Sequence, residues 1–432
     1  MTQAVELPLN AEQQAAADGF FAFLFNDEKE INLRGPGGVG KTYLMGYLID
    51  RVLPQYFQTC ALMGIEAIYT DVVMTATTNK AAEVLGIATG RPAQTAHSFF
   101  NLKVVDDYGT GKSKISKTGA WVVHERKIIF VDEASMVDSA LRQYINEGTL
   151  RCKIVYVGDH CQMAPVHESL SPVYRDNLSN LDLTIPMRTN VPELHAINQQ
   201  LRDTVETGVF RPIQAVPGII DVLNSDDMEA MLIDTFKTQN PASRILAYRN
   251  NRVNDYNAFI REIRGLPSVY GLHELLINNS AIRVSKGMLS VEEEVEIIEQ
   301  AEFSQFDEID SGVSLEVIMT TLRDSYGSHI RVPVPVDRDH FTKLLAYYKR
   351  NKNWHKFFRL KNNYPDLRPR DAATVYKAQG STYDSVFIDL GDLSTCPNPN
   401  QAARMLYVAF SRARHRVFLY GELAERFGGL IF

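Results

Sequence analysis

Four residues near the start of the chain have the types and spacing of a phosphate-binding loop. Gly35, Gly40, Lys41 and Thr42 satisfy G-x-x-x-x-G-K-[ST], between a short apolar run and a run with helical periodicity. Glycines let the backbone N–H groups wrap phosphate oxygens, and the helix N-terminus adds its positive end. A glycine-rich turn that binds nothing is the alternative, but the flanking elements favour nucleotide. The other residues expected to contact nucleotide here are Gly37, Gly38, Val39 and Tyr43.

Two side chains of this loop are suited to binding phosphate and a metal ion. We expect Lys41 to reach the outer phosphates and Thr42 to hold Mg²⁺ through its hydroxyl. Residues 128–133 form an apolar run that ends in Asp132 and Glu133, which predicts a buried parallel strand with two carboxylates at its end. Asp132 would share the Mg²⁺ with Thr42, and Glu133 would polarise the attacking water. A strand that ends in Asp-Glu is common, so this assignment depends on the loop before it.

Further polar residues follow other predicted strands. Gln162 comes just after the strand predicted at 153–157, where it could contact the γ-phosphate. Thr78 and Asn79 follow the run 72–76, and side chains at such strand ends can donate hydrogen bonds to phosphates or sugars. Capping of the next helix is an equally good interpretation. Gln13 lies on the first turn of a helix that Asn10 caps, and by itself it is an ordinary surface glutamine.

Composition limits the class of protein. A chain of 432 residues predicts two or more domains, and 45% hydrophobic with 22% charged residues is ordinary for a soluble protein. The net charge of -7 neither announces nor excludes a polyanionic partner. The four scattered cysteines indicate a reducing compartment without structural zinc. With no signal peptide and no long apolar run, we expect a cytoplasmic protein in a bacterial or virus-infected host cell, with no membrane contact.

Three stretches lie outside the strand–helix alternation. Residues 101–123 predict a small β-hairpin inserted between core elements. Period-two runs at 282–284, 291–298, 315–319 and 330–336 predict a small antiparallel barrel. Residues 341–361 contain seven Lys or Arg and no Asp or Glu, interleaved with aromatic residues. Bases and phosphates could bind this arm, or its aromatic residues could pack on another domain while its charges stay in water.

In this order, the motifs resemble those of superfamily 1 DNA helicases of the RecD and Dda type. The resemblance spans residues 9–420: the phosphate loop, the Asp-Glu pair, the segment 158–162, Arg188, residues 374–382 and residues 406–414 match six motifs, and Gln13 matches the adenine-reading glutamine. Residues 76–82 and 95–97 match the motifs that contact single-stranded DNA. Thr77 and Tyr376 depart from the family, which usually has proline and histidine there.

The resemblance implies a fold, a domain division and a set of site residues. The fold would be α/β, with two RecA-like parallel-sheet domains, an inserted small SH3-like β-barrel and a short β-hairpin insertion. The domains would comprise residues 1–180, residues 181–262 with 370–432, and residues 263–369 as the insert. The implied catalytic residues are Lys41, Glu133, Gln162, Arg188 and Arg412, and Gly380 joins the nucleotide site. The implied DNA-binding residues are Thr78, Asn79, Thr95, His97, Phe99, Asn250, Thr374, Tyr376 and Lys377.

The implied function is ATP- and Mg²⁺-dependent translocation from 5′ to 3′ on single-stranded DNA by a monomer, with separation of forked duplex. A single-strand-binding or replication protein is a candidate partner, and replication, repair and recombination remain open. An ATP-gated protein that binds single strands without unwinding them is the alternative. A P-loop kinase is less favoured, because a second sheet domain with its own arginines would have no role in it.

Overall fold

The computed structural model describes residues 8–165, 168–187, 191–284, 287–324 and 327–432. Arg188, expected to be catalytic, lies outside these ranges. The chain forms two parallel sheets, an antiparallel insert and a separate hairpin.

The first sheet has six parallel strands in the order β10-β1-β9-β7-β2-β3. Its central strands are apolar and buried on both faces, as expected for a parallel sheet covered by helices. The strands are β1 Glu30–Arg34, β2 Asp71–Ala76, β3 Ala93–Thr95, β7 Lys127–Asp132, β9 Lys153–Gly158 and β10 Ser179–Asp182. Because β10 ends at Asp182, the first sheet extends past the boundary predicted at residue 180.

Helices cover both faces of this sheet, and short elements connect them. The α-helices are α1 Ala11–Phe25, α2 Lys41–Tyr47, α3 Leu53–Met63, α4 Asn79–Thr89, α5 Ala96–Phe99, α6 Ser139–Glu147 and α7 Pro172–Arg175. A π-helical turn, Leu48–Val52, joins α2 to α3, and a 3₁₀ turn, Ala134–Met136, follows β7. The expected hairpin is present as β4 Leu102–Asp106 and β5 Ser113–Lys117, and a small parallel pair comprises β6 His124–Glu125 and β8 Thr149–Leu150.

The second sheet is also parallel, with strand order β12-β24-β23-β13-β22. The insert separates its strands in sequence. The elements before the insert are α8 Pro192–Thr207, β11 Ile213–Gln214, β12 Ile220–Leu223, α9 Ser225–Phe236, β13 Ser243–Ala247 and α10 Asn250–Ile263. After the insert come β22 Ala372–Thr374, β23 Tyr383–Asp389, α13 Leu390–Leu393, α14 Pro399–Ser411, β24 Ala413–Tyr420, a 3₁₀ turn Glu425–Phe427 and β25 Leu430–Ile431, which pairs with β11.

The insert is an antiparallel sheet followed by two helices. Strand β19 is its longest and pairs with β17, β18 and β20, while β14 joins β17 to β21. The elements are β14 Leu275–Asn278, β15 Ile282–Val284, β16 Gly287–Leu289, β17 Glu293–Gln300, β18 Gln305–Asp310, β19 Val313–Asp324, β20 His329–Pro335, α11 Arg338–Arg350, α12 Trp354–Asn363 and β21 Leu367–Pro369. Alternation therefore predicts the antiparallel character, although β14, β16, β18 and β21 were not anticipated.

The basic arm, residues 341–361, is formed by α11 and α12. Three of its aromatic rings pack inside the protein while several of its charges face water, which is the alternative to nucleic-acid binding that the sequence left open. Phe341, Tyr348 and Phe358 are buried, so these rings are unavailable to stack on bases. Lys343 and Lys349 lie on the exposed side of α11. Within the described ranges, no helix is both long and apolar enough to cross a membrane.

Candidate nucleotide-binding site

The phosphate loop lies between β1 and α2, and its conformation requires its glycines. Gly38 and Gly40 have φ of 88° and 84°, in the left-handed region that side chains avoid. A Cβ at Gly35 would lie 2.1 Å from the carbonyl oxygen of Leu183, and a Cβ at Gly40 would lie 2.6 Å from Nε2 of Gln13. The Lys41 ammonium donates to the carbonyls of Gly35 (2.7 Å) and Pro36 (2.8 Å), which holds its charge inside the loop.

A cavity of about 330 Å³ opens above this loop. It brings together residues from both sheets that are far apart in sequence. Its lining residues are Gly37, Gly38, Gly40, Lys41, Thr42, Ala81, Val84, Asp132, Glu133, Gln162, Met187, Gly380 and Arg412. Most of the expected nucleotide and catalytic residues therefore face one space. Gly35, Val39 and Tyr43 belong to the loop and its helix but do not line this cavity.

The two carboxylates at the end of β7 are held close together in an unusual conformation. Glu133 has φ of 52°, a left-handed conformation that costs a residue with a side chain on the order of 1 kcal/mol. Its N–H donates to Oδ1 of Asp132 at 2.9 Å. Burial and the neighbouring Glu133 raise the pKa of Asp132 to about 7. A divalent cation would relieve this concentration of negative charge.

Arg412 reaches the same cavity from the second sheet. It caps the C-terminus of α14 and is buried, with only 2% of its surface exposed. Nε donates to the carbonyl of Val408 at 3.1 Å and Nη1 to that of Ser381 at 3.0 Å. Burial lowers its pKa, but a guanidinium remains charged in proteins. Arg414, two residues later, is instead exposed and pairs with Asp384 at 3.4 Å.

Gln162 follows β9 in a turn that is bound mainly by the second sheet domain. The Gln162 side chain is buried, and its Oε1 has no hydrogen-bond partner among the described residues. Its main-chain carbonyl accepts a hydrogen bond from Nη1 of Arg404 at 2.7 Å, and the same nitrogen donates to the carbonyl of His160 at 2.6 Å. Gln162 lines the cavity, and an unpartnered buried acceptor on such a residue suits a role in binding a ligand there.

Sequence reasoning missed several residues of this site. Gln379 donates through Nε2 to Glu133 (3.2 Å) and to Oγ of Ser135 (3.0 Å), so it joins the two halves beside the carboxylates. Met187 lines the cavity, and its N–H donates to the carbonyl of Gly38 at 2.7 Å. Gln379 lies in the expected motif at 374–382, which was a usable signal. Nothing in the residue type of Met187 indicated a role.

Gln13 contacts both the start of its helix and the phosphate loop, and its contact with adenine remains a prediction. It completes a capping box with Asn10, which confirms Asn10 as the helix cap. Nε2 of Gln13 also donates to the carbonyl of Val39 at 3.5 Å, so the side chain contacts the phosphate loop. It is buried rather than on the surface.

The residues present fit a nucleoside triphosphate and a divalent cation. The loop leaves space for phosphates where a Cβ would collide, while Thr42 and Asp132 supply the oxygen ligands that Mg²⁺ prefers. Lys41 and Arg412 supply positive charge from opposite sides. Fold and site define a P-loop nucleotide-binding protein whose site lies between two parallel sheets.

The residues predicted to bind DNA do not share one cavity. Thr78 and Thr95 cap helices: their hydroxyls accept from the N–H groups of Ala81 and Ser98, each at 3.1 Å. Asn79 and Thr95 line a separate cavity of about 240 Å³ between α4 and residues 290–293 of the insert. The helix-capping interpretation is therefore correct for Thr78, Thr95 caps a helix as well, and DNA contact remains a prediction for both.

The aromatic residues on α5 are engaged within the first domain. Phe99 stacks on His124 with ring centroids 4.1 Å apart. His97 is half-buried, and burial lowers its pKa although Asp138 opposes the shift. One face of Phe99 is therefore already covered.

The predicted DNA contacts of the second domain lie near the insert or in the core. Lys377 forms an ion pair with Glu292 at 2.5 Å. The hydroxyl of Tyr376 accepts from Nε2 of Gln401 at 2.5 Å, and Thr374 is buried at the end of β22. Asn250 is exposed at the start of α10. Of these four, only Asn250 is exposed.

Two family models match the chain. One, described as an AAA domain, matches residues 8–211, and the other, described as a UvrD-like helicase C-terminal domain, matches residues 371–420. They lie on the phosphate-loop half and on the strands of the second sheet that follow the insert.

Two curated relatives align with nearly the whole chain. The ATP-dependent DNA helicase dda of Enterobacteria phage T4 is 22% identical over 433 residues, which cover 90% of this chain and 93% of that helicase. An uncharacterised protein of Acanthamoeba polyphaga mimivirus is 22% identical over 502 residues, covering 94% of this chain and 99% of that protein.

Solved structures share the fold. The Pif1 helicase from Bacteroides, in complex with ADP-AlF3 and ssDNA, has a TM-score of 0.53 and 15% identity, over 99% of this chain and 95% of that one. The Pif1 helicase from Candida albicans has a TM-score of 0.50 and 15% identity, over 98% and 97%. The α/β fold with RecA-like parallel-sheet domains is thereby confirmed. The chain resembles superfamily 1 helicases of the Pif1/Dda type, as its motif order predicts, and the two family models with the full-length helicase relative support an ATP-hydrolysing enzyme of that class.

Proposed function

We propose that this protein hydrolyses ATP with Mg²⁺ to move 5′ to 3′ along single-stranded DNA and to separate the duplex ahead of it. The observation that carries the proposal is the cavity that Lys41, Glu133 and Gln162 share with Arg412 of the second sheet. A site assembled from two domains is complete only when they are closed together, so hydrolysis and domain movement become one process.

The residues have complementary roles in phosphoryl transfer. Lys41 binds the outer phosphates, Glu133 takes up the proton of the attacking water, and Gln162 contacts the γ-phosphate. Arg188 and Arg412 neutralise the charge that develops on the transferred group, as arginine fingers do. Thr42 and Asp132 would hold Mg²⁺, which supplies further charge neutralisation on the phosphates. Gln13 orients the base, and Gly380 lets the second domain come close to the glutamate.

Closing and opening of the cleft would move the DNA. The predicted contacts on the first domain are Thr78, Asn79, Thr95, His97 and Phe99, and those on the second are Asn250, Thr374, Tyr376 and Lys377. One set would grip the strand while the other slides. The 5′ to 3′ polarity rests on the resemblance to RecD and Dda, and a monomer suffices for this cycle.

We also propose the domain division that the resemblance implies, with its first boundary moved from residue 180 to the end of β10 at residue 182. The first domain would comprise residues 1 to about 182, the second 183–262 with 370–432, and the insert 263–369. The antiparallel sheet of the insert would be an SH3-like barrel. Its buried residues, among them Leu276, Val295 and Leu322, form a core separate from those of the two parallel sheets, which supports an independent unit.

The hairpin β4–β5 would be the wedge that parts the strands. It projects from the first domain directly after Thr95 and Phe99, and it contributes nothing to the nucleotide cavity. A two-stranded hairpin is marginally stable alone, so it needs support. The Tyr108 ring packs on His355 (4.9 Å) and on Phe358 (5.2 Å), and Asn362 donates to Asp106 at 2.9 Å. Helix α12 therefore braces the tip.

A shortened hairpin tests the wedge. Replacement of residues 107–112 by Asn-Gly removes the tip and keeps both strands. We expect single-strand-stimulated ATPase to stay within about twofold of the parent, while fork unwinding falls at least tenfold, because breaking a base-pair stack costs a few kcal/mol. Replacement of Lys361 by Ala is a matched control on α12. Equal losses in both activities would show that the hairpin supports the fold instead.

Translocation polarity tests the main proposal. Streptavidin bound to biotin at one end of a single-stranded oligonucleotide is displaced by a translocase that arrives at that end. We expect ATP-dependent displacement from the 3′ end and none from the 5′ end. Displacement from the 5′ end would reverse the assignment. Displacement from neither end, with ATPase still stimulated by single strands, would favour the ATP-gated binding protein that does not move or unwind.

A further inference from the structure

The turn that carries Gln162 begins in one domain and is anchored in the other. Gly158 ends β9 of the first sheet, where its carbonyl accepts from the N–H of Gly35 at 3.0 Å. Three residues later, the Cys161 and Met163 side chains are buried in the apolar core of the second domain, together with Leu201 of α8. The turn therefore links the phosphate loop to the second domain within four residues.

Asp159 fixes the middle of this turn. Its side chain has no exposed surface, yet it carries a charge. Oδ1 accepts from Nη1 of Arg202 at 2.7 Å, and Oδ2 accepts from the hydroxyl of Tyr407 at 2.6 Å. Both donors belong to the second domain. The remaining contact is local: the N–H of Cys161 donates to Oδ1 at 3.0 Å.

Arg202 is itself mostly buried, with 11% of its side chain exposed. It lies on α8, outside every motif that predicted the function. Its Nε also pairs with Glu206 at 3.5 Å, and its Nη2 lies 3.4 Å from Nδ1 of His160. The guanidinium is thus held on two sides, so it presents its donors to Asp159 in a fixed direction. Burial raises the pKa of Asp159, but the charges of Arg202 and Lys41, together with the hydrogen bonds from Tyr407 and Cys161, keep that pKa below its usual range.

We propose that Arg202 is a positioning residue for ATP hydrolysis. It holds Asp159 to the second domain so that the turn travels with that domain, and closure of the cleft presents Gln162 to the γ-phosphate. In this proposal Arg202 acts on the reaction through Asp159, although its side chain also lines a cavity with Pro36 and Val39 of the phosphate loop. The inference rests on the proposed function, because it assigns a mechanical task to a residue of the same site.

The alternative is that the Asp159–Arg202 pair only stabilises the fold. Removal of one partner of a buried pair leaves an uncompensated charge and is destabilising in any case. The readouts must therefore separate catalysis from folding. Arg202→Lys keeps the charge but loses the directed donors, and Arg202→Met removes the charge at similar length. Arg211→Met is the matched control, since Arg211 is exposed and pairs with Asp203, which lies on α8 next to Arg202.

Kinetics of the purified full chain with a single-stranded oligonucleotide test the inference, with melting temperature and nucleotide affinity measured alongside. We expect Arg202→Met to lower kcat about a hundredfold, as small misplacements of catalytic groups do. The KM for ATP should stay within about threefold, because neither the hydrogen bonds of Lys41 nor the conformations of the loop glycines involve Arg202. Arg202→Lys should recover part of kcat, and Arg211→Met should retain all of it.

A double variant tests whether Arg202 acts only through Asp159. If Arg202 acts only through Asp159, Asp159→Asn combined with Arg202→Met should have the kcat of Asp159→Asn alone, measured at a temperature where all variants are folded. Additive losses, or a raised KM with unchanged kcat, would overturn the inference. A parent protein without single-strand-stimulated ATPase would instead refute the proposed function. An active parent with an equally active, folded Arg202→Met variant would refute the positioning role alone.

Discussion

The nucleotide cavity and the predicted DNA track differ in how their polar side chains are used. In the cavity, glycines with forced conformations leave open space, and the lining residue Gln162 has a buried Oε1 without a partner among the described residues. Along the track, Thr78 and Thr95 cap helices, Phe99 stacks on His124, and Lys377 is paired with Glu292. The cavity is prepared for its ligand, whereas the track residues are occupied within the protein.

This difference has a physical cause. A phosphate group must be surrounded by backbone N–H groups and fixed charges, so its site requires particular residues at fixed spacing. A single strand that slides must be held by contacts that exchange easily. Hydroxyl and ammonium groups that already have partners in the protein can exchange them for DNA at small net cost. Variants in the cavity should therefore have large effects, and variants on the track small ones.

The largest effect should come from Lys41→Ala. Loss of a charge that stabilises the transition state lowers the rate by a factor on the order of 10³ or more. Steady-state ATPase with saturating single-stranded DNA measures it. Lys237→Ala, at the exposed end of α9 and outside every motif, is a matched control that should keep activity within about twofold. Turnover of Lys41→Ala within tenfold of the parent would break the assignment of the cavity.

Arg412→Ala should rank next, with a loss of kcat of about 10² to 10³. Nucleotide binding should be little changed, because a finger acts on charge that develops only in the transition state. Since Arg412 also donates to two main-chain carbonyls, the melting temperature must be measured alongside. Arg414→Ala, which removes the exposed ion pair with Asp384, should leave kcat nearly unchanged. A larger loss of kcat from Arg414→Ala than from Arg412→Ala would show that Arg412 is not the arginine finger.

On the track, Lys377 and Glu292 should respond in opposite directions. If Lys377 exchanges Glu292 for a phosphate, Lys377→Ala weakens single-strand binding by a few-fold and reduces the salt slope by about 0.7. Glu292→Gln then strengthens binding, because the ammonium no longer has to leave a carboxylate. Fluorescence anisotropy of a labelled oligonucleotide at several salt concentrations measures both. Weaker binding from both variants would indicate that the pair only ties the second domain to the insert.

The smallest effect should come from Thr95. Thr95→Ala removes a helix cap and should lower the free energy of unfolding by about 1 kcal/mol. Thr95→Asp keeps a good cap but places a negative charge on the expected path of the strand. It should melt like the parent and bind single-stranded DNA more weakly, which separates capping from DNA contact. Unchanged affinity in Thr95→Asp would remove Thr95 from the track.

The sequence predicts the cavity well because local spacing determines it. Gly35 to Thr42 must form a loop before a helix, and Asp132 must end a strand, so both can be read without tertiary information. Met187 and Arg202 could not be found in this way. Met187 depends on where the chain passes after β10, and Arg202 depends on α8 packing against the turn after β9.

In the insert, the sequence predicts some strands and misses others. Period-two alternation predicts β15 and the cores of β17, β19 and β20. It fails for β18, where Asp307 lies on the same face as the buried Ile309 while the apolar Phe306 is exposed, so the apolar pattern is broken. Strand β10 extends past the boundary predicted at residue 180; it carries only one buried side chain, Leu181, and so gives a weak strand signal.

Unwinding of tailed duplexes tests the central claim most directly. Two substrates share one duplex and differ only in whether the single-stranded tail is 5′ or 3′, and strand separation and ATP consumption are followed in the same reaction. We predict that the parent separates the 5′-tailed duplex with Mg²⁺ and ATP and leaves the 3′-tailed duplex intact, while Lys41→Ala separates neither. ATP hydrolysis stimulated by both tails, with neither duplex separated, would contradict the account.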